Sequence, residues 1–220
     1  VLTKLGIDFA ILGAEERHDG DSMLRAGEQG LFEMLADQNI EALNSYEFDV
    51  LLTTDPHAYN AFVHEYPERG GNYNVEHYAR FLADRIGDLN LSEDVLSTVT
   101  FHDPCYLGRY QDEYEAPRRL IRATGLEVVE MGRCRENSLC CGAGGGRIWM
   151  DDSGLDERPS ENRIREAVAL GEDVRFFVVS CPKDMIMYSD AVKTTGNEGR
   201  IEVIDIAQLV ERAKELVLVG

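Results

Sequence analysis

Ser138-Leu139-Cys140-Cys141-Gly142-Ala143-Gly144-Gly145-Gly146-Arg147 sets two adjacent thiols against a glycine loop. Adjacent cysteines point in different directions, so they rarely grip one tetrahedral ion, whereas they readily ligate two irons of one cluster. The pair is read together with Cys105, in Thr100-Phe101-His102-Asp103-Pro104-Cys105, and Cys181, in Phe177-Val178-Val179-Ser180-Cys181-Pro182. Each of these two thiols follows an apolar, β-branched or aromatic run, which predicts a mounting at a strand end. Open α/β sheets collect ligands along their C-terminal strand edges, so thiols far apart in sequence are expected to converge there. The glycines let backbone N–H groups approach cluster sulfurs and stabilise added negative charge.

Composition narrows the setting. The 220 residues are enough to bury a core without external staples. Asp and Glu number 41 against 22 Lys and Arg, for a formal net charge of -19. Such a surface repels nucleic acid and anionic lipid headgroups, which argues against direct binding of either. An acid-rich chain whose lysines are only Lys4, Lys183, Lys193 and Lys214 suits high salt, where self-repulsion is screened, and a halophilic source is the preferred explanation. Five cysteines without a signal-peptide pattern point to a reducing compartment, with the cytoplasm as the default. No apolar run approaches the roughly 20 residues that span a bilayer, so membrane attachment is expected only through a partner or a missing segment.

Along the chain, strands and helices are expected to alternate. Val1 to Leu12 reads as a helix end and a strand over Ile7 to Leu12, so the chain is expected to begin inside a structural unit. Met23 to Tyr46 has the spacing of one long helix, and Asp49 to Thr54 that of a buried strand; Asp55-Pro56 caps the next helix. Val75 to Ile86 supplies a short strand and a helix, Asp88 to Asp94 a polar linker, and Ser97 to His102 the strand that leads to Cys105. Helices are expected over Ala116 to Thr124, Pro159 to Leu170, from Pro182, and over Ala207 to Leu216. Strands are expected over Leu126 to Met131, Val174 to Val179 and Ile201 to Ile204.

The two halves superpose as sequences. Leu5 to Leu12 matches Thr124 to Met131, and Leu51-Leu52-Thr53-Thr54-Asp55-Pro56 matches Phe177-Val178-Val179-Ser180-Cys181-Pro182. On that alignment His18-Asp19-Gly20 stands where Cys140-Cys141-Gly142 stands, Asp55 stands for Cys181 and Ala58 for Asp184. One unit occurs twice, and its first copy has lost its thiols and the strand that would carry the counterpart of Cys105.

The spacing Cys105, Cys140-Cys141-Gly142, Cys181-Pro182 resembles the cysteine-rich CCG domain of the heterodisulfide reductase B-subunit superfamily. His102-Asp103-Pro104-Cys105-Tyr106-Leu107-Gly108-Arg109 and the Cys-Cys-Gly loop look most like the iron-sulfur oxidoreductases that work beside electron-transfer flavoproteins and quinones. The resemblance implies an α/β fold of two duplicated, Rossmann-like CCG domains with mostly parallel sheets flanked by helices. Residues 1–94 would be the degenerate copy and 95–220 the intact, cluster-binding one. It further implies an oxidoreductase subunit that relays electrons from a flavoprotein or another iron-sulfur donor toward quinone or a disulfide, peripheral on the inner membrane face through a partner.

The family motif ends Cys-x-x-Cys, and here Asp184 holds the last position. A full five-thiol set in this superfamily can hold a noncubane double cluster; Cys105, Cys140, Cys141 and Cys181 remain enough for one [4Fe-4S] cubane. Asp184 is then either an oxygen ligand to iron or an acid complementing a helix dipole. Gly142, Gly144 and Arg147 are cofactor-binding candidates, Arg147 either offsetting cluster charge or pairing with a nearby carboxylate. The loop lacks the Gly-Lys-Ser/Thr ending of a phosphate cradle and the third glycine of a dinucleotide fingerprint. His18, Asp19 and Asp55 are either a mononuclear metal site inherited from the lost cluster or a hydrated structural remnant. Cys134, between Arg133 and Arg135, falls outside the motif and is either an incidental cysteine, the preferred reading, or a thiol whose pKa the arginines lower. His102 is close enough to Cys105 to hydrogen-bond a cluster, and His57, His64 and His77 read as ordinary. Two other classes stay open: a disulfide-reducing subunit, and a cluster-free or zinc-binding interaction subunit.

Overall fold

The computed structural model describes residues 1–88 and 98–216. The expected linker beyond Asp88 and the domain boundary at 94/95 lie outside the described residues. In the first half, α1 (Asp21–Arg25) and α2 (Gln29–Leu43) precede β1 (Leu51–Thr53), α3 (Pro56–Asn60), β2 (Val75–His77) and α4 (Tyr78–Ala83). In the second, β3 (Thr98–Phe101), α5 (Cys105–Gly108), α6 (Glu115–Ala123), β4 (Glu127–Val128), α7 (Pro159–Val168), β5 (Val174–Val179), α8 (Pro182–Thr194), β6 (Glu202–Asp205) and α9 (Ile206–Leu216) follow.

β1 and β2 form one sheet, and the other has the order β4-β3-β5-β6; every ladder is parallel. Parallel neighbours need crossovers, which the helices supply. The chain moves outward from β3 to β4 through α6, then returns through α7 to β5 on the other side of β3. Winding therefore reverses between β3 and β5, and the crevice at their C-terminal ends is where such sheets bind ligands. α6 packs on α9 and α7 on α8, so both faces of the larger sheet are covered. A strand covered on both faces must be apolar throughout most of its length. β5 meets this condition: Phe177, Val178 and Val179 are fully buried, each worth about 1.5–3 kcal/mol in removal from water.

The halves share a core. Tyr78, Phe81 and Leu82 of α4 pack in one cluster with Val99, Phe101, Leu120, Val178 and Ile204 of the second half, while Phe32, Ala36, Ala61 and Tyr66 make a smaller cluster of their own. Two expectations are corrected. Ile7 to Leu12 is not a strand: Phe9 and Ile11 are exposed, and Ile7 packs against the shared core. Its counterpart in the second half reaches only a two-residue ladder, on β3, and among the described residues the first half has no strand equivalent to β3 to offer. The long helix over Met23 to Tyr46 is two helices, because Gly27 takes φ +87 and breaks the run between α1 and α2. Among the described residues no helix is long and apolar enough to cross a membrane.

Candidate metal centre at the switch point

The crevice between β3 and β5 gathers the thiols. Cys105 opens α5 one turn after β3, Cys181 occupies the N-cap of α8 after β5, and Cys140 and Cys141 arrive on the loop between β4 and α7. All are free thiols. The thiols of Cys105, Cys140 and Cys141 and the carboxyl of Asp184 are close enough to shift one another, and the Gly142 N–H donates to Cys140 Sγ at 3.4 Å. The neighbouring Cys105 and Cys141 thiols pull Cys140 far below an ordinary thiol, and Cys140 in turn, with burial, holds Cys105 and Cys141 up. Burial, with the neighbouring Asp184 and Asp55, also pushes Cys181 up. Thiols ligate metal as thiolates, so metal binding at this set releases protons.

Asp184 lies inside this group. It is 2% exposed, and burial pushes its carboxyl up to about 7 against the effect of the neighbouring Cys141 thiol. Its Oδ2 has no hydrogen-bond partner among the described residues and lies 3.6 Å from His102 Nε2. An unpartnered buried carboxylate oxygen beside three thiols is costly unless something coordinates to it. The donor set therefore fits an iron-sulfur cluster, with Asp184 offering an oxygen where the family pattern has a thiol.

Buried ion pairs fix the loops that carry these donors. Arg118, fully buried, forks onto Asp103 at 2.6 and 2.9 Å and onto Glu130 at 2.6 and 2.9 Å. Asp103 also accepts from the Arg135 N–H at 2.7 Å, and its carbonyl accepts from Ser138 Oγ at 3.1 Å, tying the Cys105 turn to the Cys140 loop. Arg109 donates to the Glu136 carbonyl at 2.9 Å and to the Ser138 carbonyl. Arg163 donates to the His102 Nδ1 at 3.3 Å, and burial first, then this arginine, drives His102 well below its ordinary value. His102 is thus neutral with Nδ1 accepting, which turns Nε2 toward Tyr188 Oη at 3.1 Å and Asp184.

The glycine candidates sit where space is tight. A Cβ on Gly142, at φ +89, would lie 3.3 Å from Pro159 Cγ, and one on Gly144 would lie 3.3 Å from His57 Cε1. Arg147 pairs with Asp152 and remains about one-third exposed. Cys134 stands outside the group, and its thiol is raised, by burial and then by Glu130, against the effect of the arginines.

In the first half, His18, Asp19 and Asp55 are occupied with structure. His18 Nδ1 accepts from the Gly20 N–H at 2.9 Å and Asp19 from the Asp21 N–H at 2.7 Å. Asp55 caps α3 through the His57 N–H at 2.8 Å and pairs with Lys183 Nζ at 3.2 Å. Sequence reasoning passed over both His57 and Lys183. The signal was in the repeat itself: each follows the aligned proline, and each crosses the seam, Lys183 to Asp55 and His57 to Gly144.

Comparison with known proteins agrees with this arrangement. A family model described as the cysteine-rich domain, CCG, matches residues 1–62 and again 99–183. The EtfAB:quinone oxidoreductase of Syntrophomonas wolfei is 36% identical over 98% of this chain and 31% of its own length. The probable iron-sulfur-binding oxidoreductase FadF of Bacillus subtilis is 37% identical over 97% of the chain and 30% of its length. A subunit of the dihydromethanophenazine:CoB--CoM heterodisulfide reductase of Methanosarcina mazei is 33% identical over 97% of the chain and 53% of its length. The chain spans about a third of the first two relatives and about half of the third. With the family pattern matched in both halves, and the thiols of the second drawn to one sheet edge, the chain belongs to the cysteine-rich CCG domain family.

Proposed function

We propose that this chain is the iron-sulfur electron-transfer part of a flavoprotein-linked or respiratory oxidoreductase. The observation that carries the reading is the convergence of Cys105, Cys140, Cys141 and Cys181 at the β3/β5 switch point, in a chain whose relatives are named as iron-sulfur and quinone oxidoreductases. Residues 95–220 form the cluster-binding unit and 1–94 a scaffold and docking surface. A [4Fe-4S] cubane held by the four thiolates supplies one-electron acceptance and release. The residues around it exclude water, and the Gly142 N–H and Lys183 offset its negative charge. The partners are a flavoprotein or iron-sulfur donor and, on the acceptor side, quinone or a disulfide, reached at the inner membrane face through a partner.

One observation favours a second reading. Asp184, buried with a free Oδ2, restores a fifth donor and with it the larger, noncubane cluster of a disulfide-reducing subunit. Iron and acid-labile sulfide per chain, with low-temperature EPR of anaerobically purified protein, separate the two. Four of each with a cubane signal supports the relay. More iron with an unusual signal supports the disulfide reductase, and protein that stays iron-free after reconstitution rejects both.

A further inference from the structure

We propose that His57, supplied by the cysteine-free half, coordinates iron at the cluster site through Nε2, beside Cys181. The inference rests on the cluster reading above and adds a ligand that the cysteine pattern does not contain.

Proximity comes first. Single ligand atoms of His57, Asp55 and Cys181 lie within 4.8 Å of one another, close enough to share a metal, and His57 and Cys181 are both buried. Orientation comes second. His57 Nδ1 lies 2.8 Å from Asp21 Oδ2, and Asp21 is itself buried and held by Arg25 at 3.1 Å. A carboxylate paired with an arginine accepts, so Nδ1 donates, and a ring that ligates through its other nitrogen does so with the Nε2 lone pair. Metal-ligating histidines are fixed in this way, with the far nitrogen bonded to a carboxylate. Rigidity comes third: the ring stacks on Tyr106 with centroids 3.9 Å apart, and Gly144 lies against its Cε1 edge, where a side chain would intrude. Among the described residues Nε2 has no hydrogen bond.

Asp55 does not turn these atoms into a separate cation site. It already holds the Lys183 ammonium at 3.2 Å, and a second cation sharing that carboxylate would meet the lysine's charge. The nitrogen is therefore directed to an iron that Cys181 also serves. A cubane uses one protein ligand per iron, so a coordinating His57 either expands the coordination of that iron or belongs to a larger cluster with Asp184. Both depart from the signal of an all-thiolate cubane.

The test uses the full chain, labelled with [15N]histidine, reconstituted anaerobically with iron and sulfide, and reduced for pulsed EPR. The expected result is a nitrogen hyperfine coupling of the size of direct coordination. It should persist in H64Q and vanish in H57Q, with iron content kept. Should H57Q fail to fold, D21N provides the second variant, with iron retained and the nitrogen coupling altered. Iron-loaded wild-type protein with no coupling, or with only the weak coupling of a hydrogen-bonded nitrogen, overturns the inference and leaves the cluster reading standing. A coupling that survives H57Q, or an unchanged one in D21N, also overturns it. Protein with a single metal and no sulfide, or with no metal, overturns the inference and the cluster reading together.

Discussion

Asp55-Pro56-His57-Ala58 and Cys181-Pro182-Lys183-Asp184 are the same turn twice, each following a parallel strand, β1 or β5, and opening a helix with proline in the first turn. In the first copy the leading residue caps its helix through a carboxylate; in the second the thiol makes no side-chain cap and lies in the candidate metal centre. A cap of this kind is worth about 1 kcal/mol, so the loss of a ligand there is compatible with keeping the turn. The residue after each proline crosses to the other half, Lys183 to Asp55 and His57 to the glycine loop. The comparison teaches that the repeat's backbone is indifferent to ligand chemistry, and that the degenerate copy is still built into the surviving site.

The sharpest way to break the comparison is to exchange chemistry at the matched position. Cys181→Ser is expected to abolish cluster assembly, with iron per chain falling close to zero after anaerobic reconstitution. Asp55→Asn, at the equivalent place, should leave iron content near that of the wild type. Equal losses in both variants would mean that the first copy ligates as fully as the second.

The next effect compares ion pairs. Arg118→Met leaves Asp103 buried and uncompensated, and a loss of about 3–5 kcal/mol in urea unfolding is expected. Arg69→Ala removes an exposed, solvent-screened pair with Asp37, held at 2.6 Å in the first half, and should cost far less than Arg118→Met. Comparable losses would show that the Asp103 network does not hold the site loops.

A further test, read through pH, compares matched strand ends. His77 and Asp205 pair with Thr53 and Val179 respectively, in the same register of the two sheets. Burial lowers His77 to about 4, so the unfolded chain binds a proton that the fold refuses. Its contribution is complete above about pH 6.5 and is lost as pH falls toward 4, on the order of 3 kcal/mol in all. Burial raises Asp205, against a hydrogen bond from Tyr78 Oη at 2.5 Å, so its contribution is present at low pH and is lost as pH rises through the raised value. Unfolding midpoints measured across the acid range should lose part of their rise with pH in His77→Asn and part of their fall with pH in Asp205→Asn. A single slope common to both variants would contradict the assignment.

Much of this was legible in the chain because its signals are local. The β5 run Val174 to Val179, Pro159 and Pro182 at helix starts, and Asp55 as a cap each declare themselves within a few residues. The thiols were legible as a set because adjacency and strand-end placement constrain what cysteines can reach. Ile7 to Leu12 misled because an apolar run becomes a strand only beside a partner, and its partner strand is not among the described residues of the first half. The long helix misled because apolar spacing continued across Gly27, whose positive φ turns the chain.

Periodicity, punctuation and spacing along one chain were enough to read the repeat, the parallel α/β class and the candidate group Cys105, Cys140, Cys141 and Cys181. That Asp184 is a buried acid with a free oxygen, that Arg147 pairs with Asp152, and that His57 and Lys183 cross the seam emerged only from the packed fold. Burial, desolvation and pairing depend on neighbours from distant segments, and periodicity along the chain carries no record of which side chain meets which across the interface between the halves.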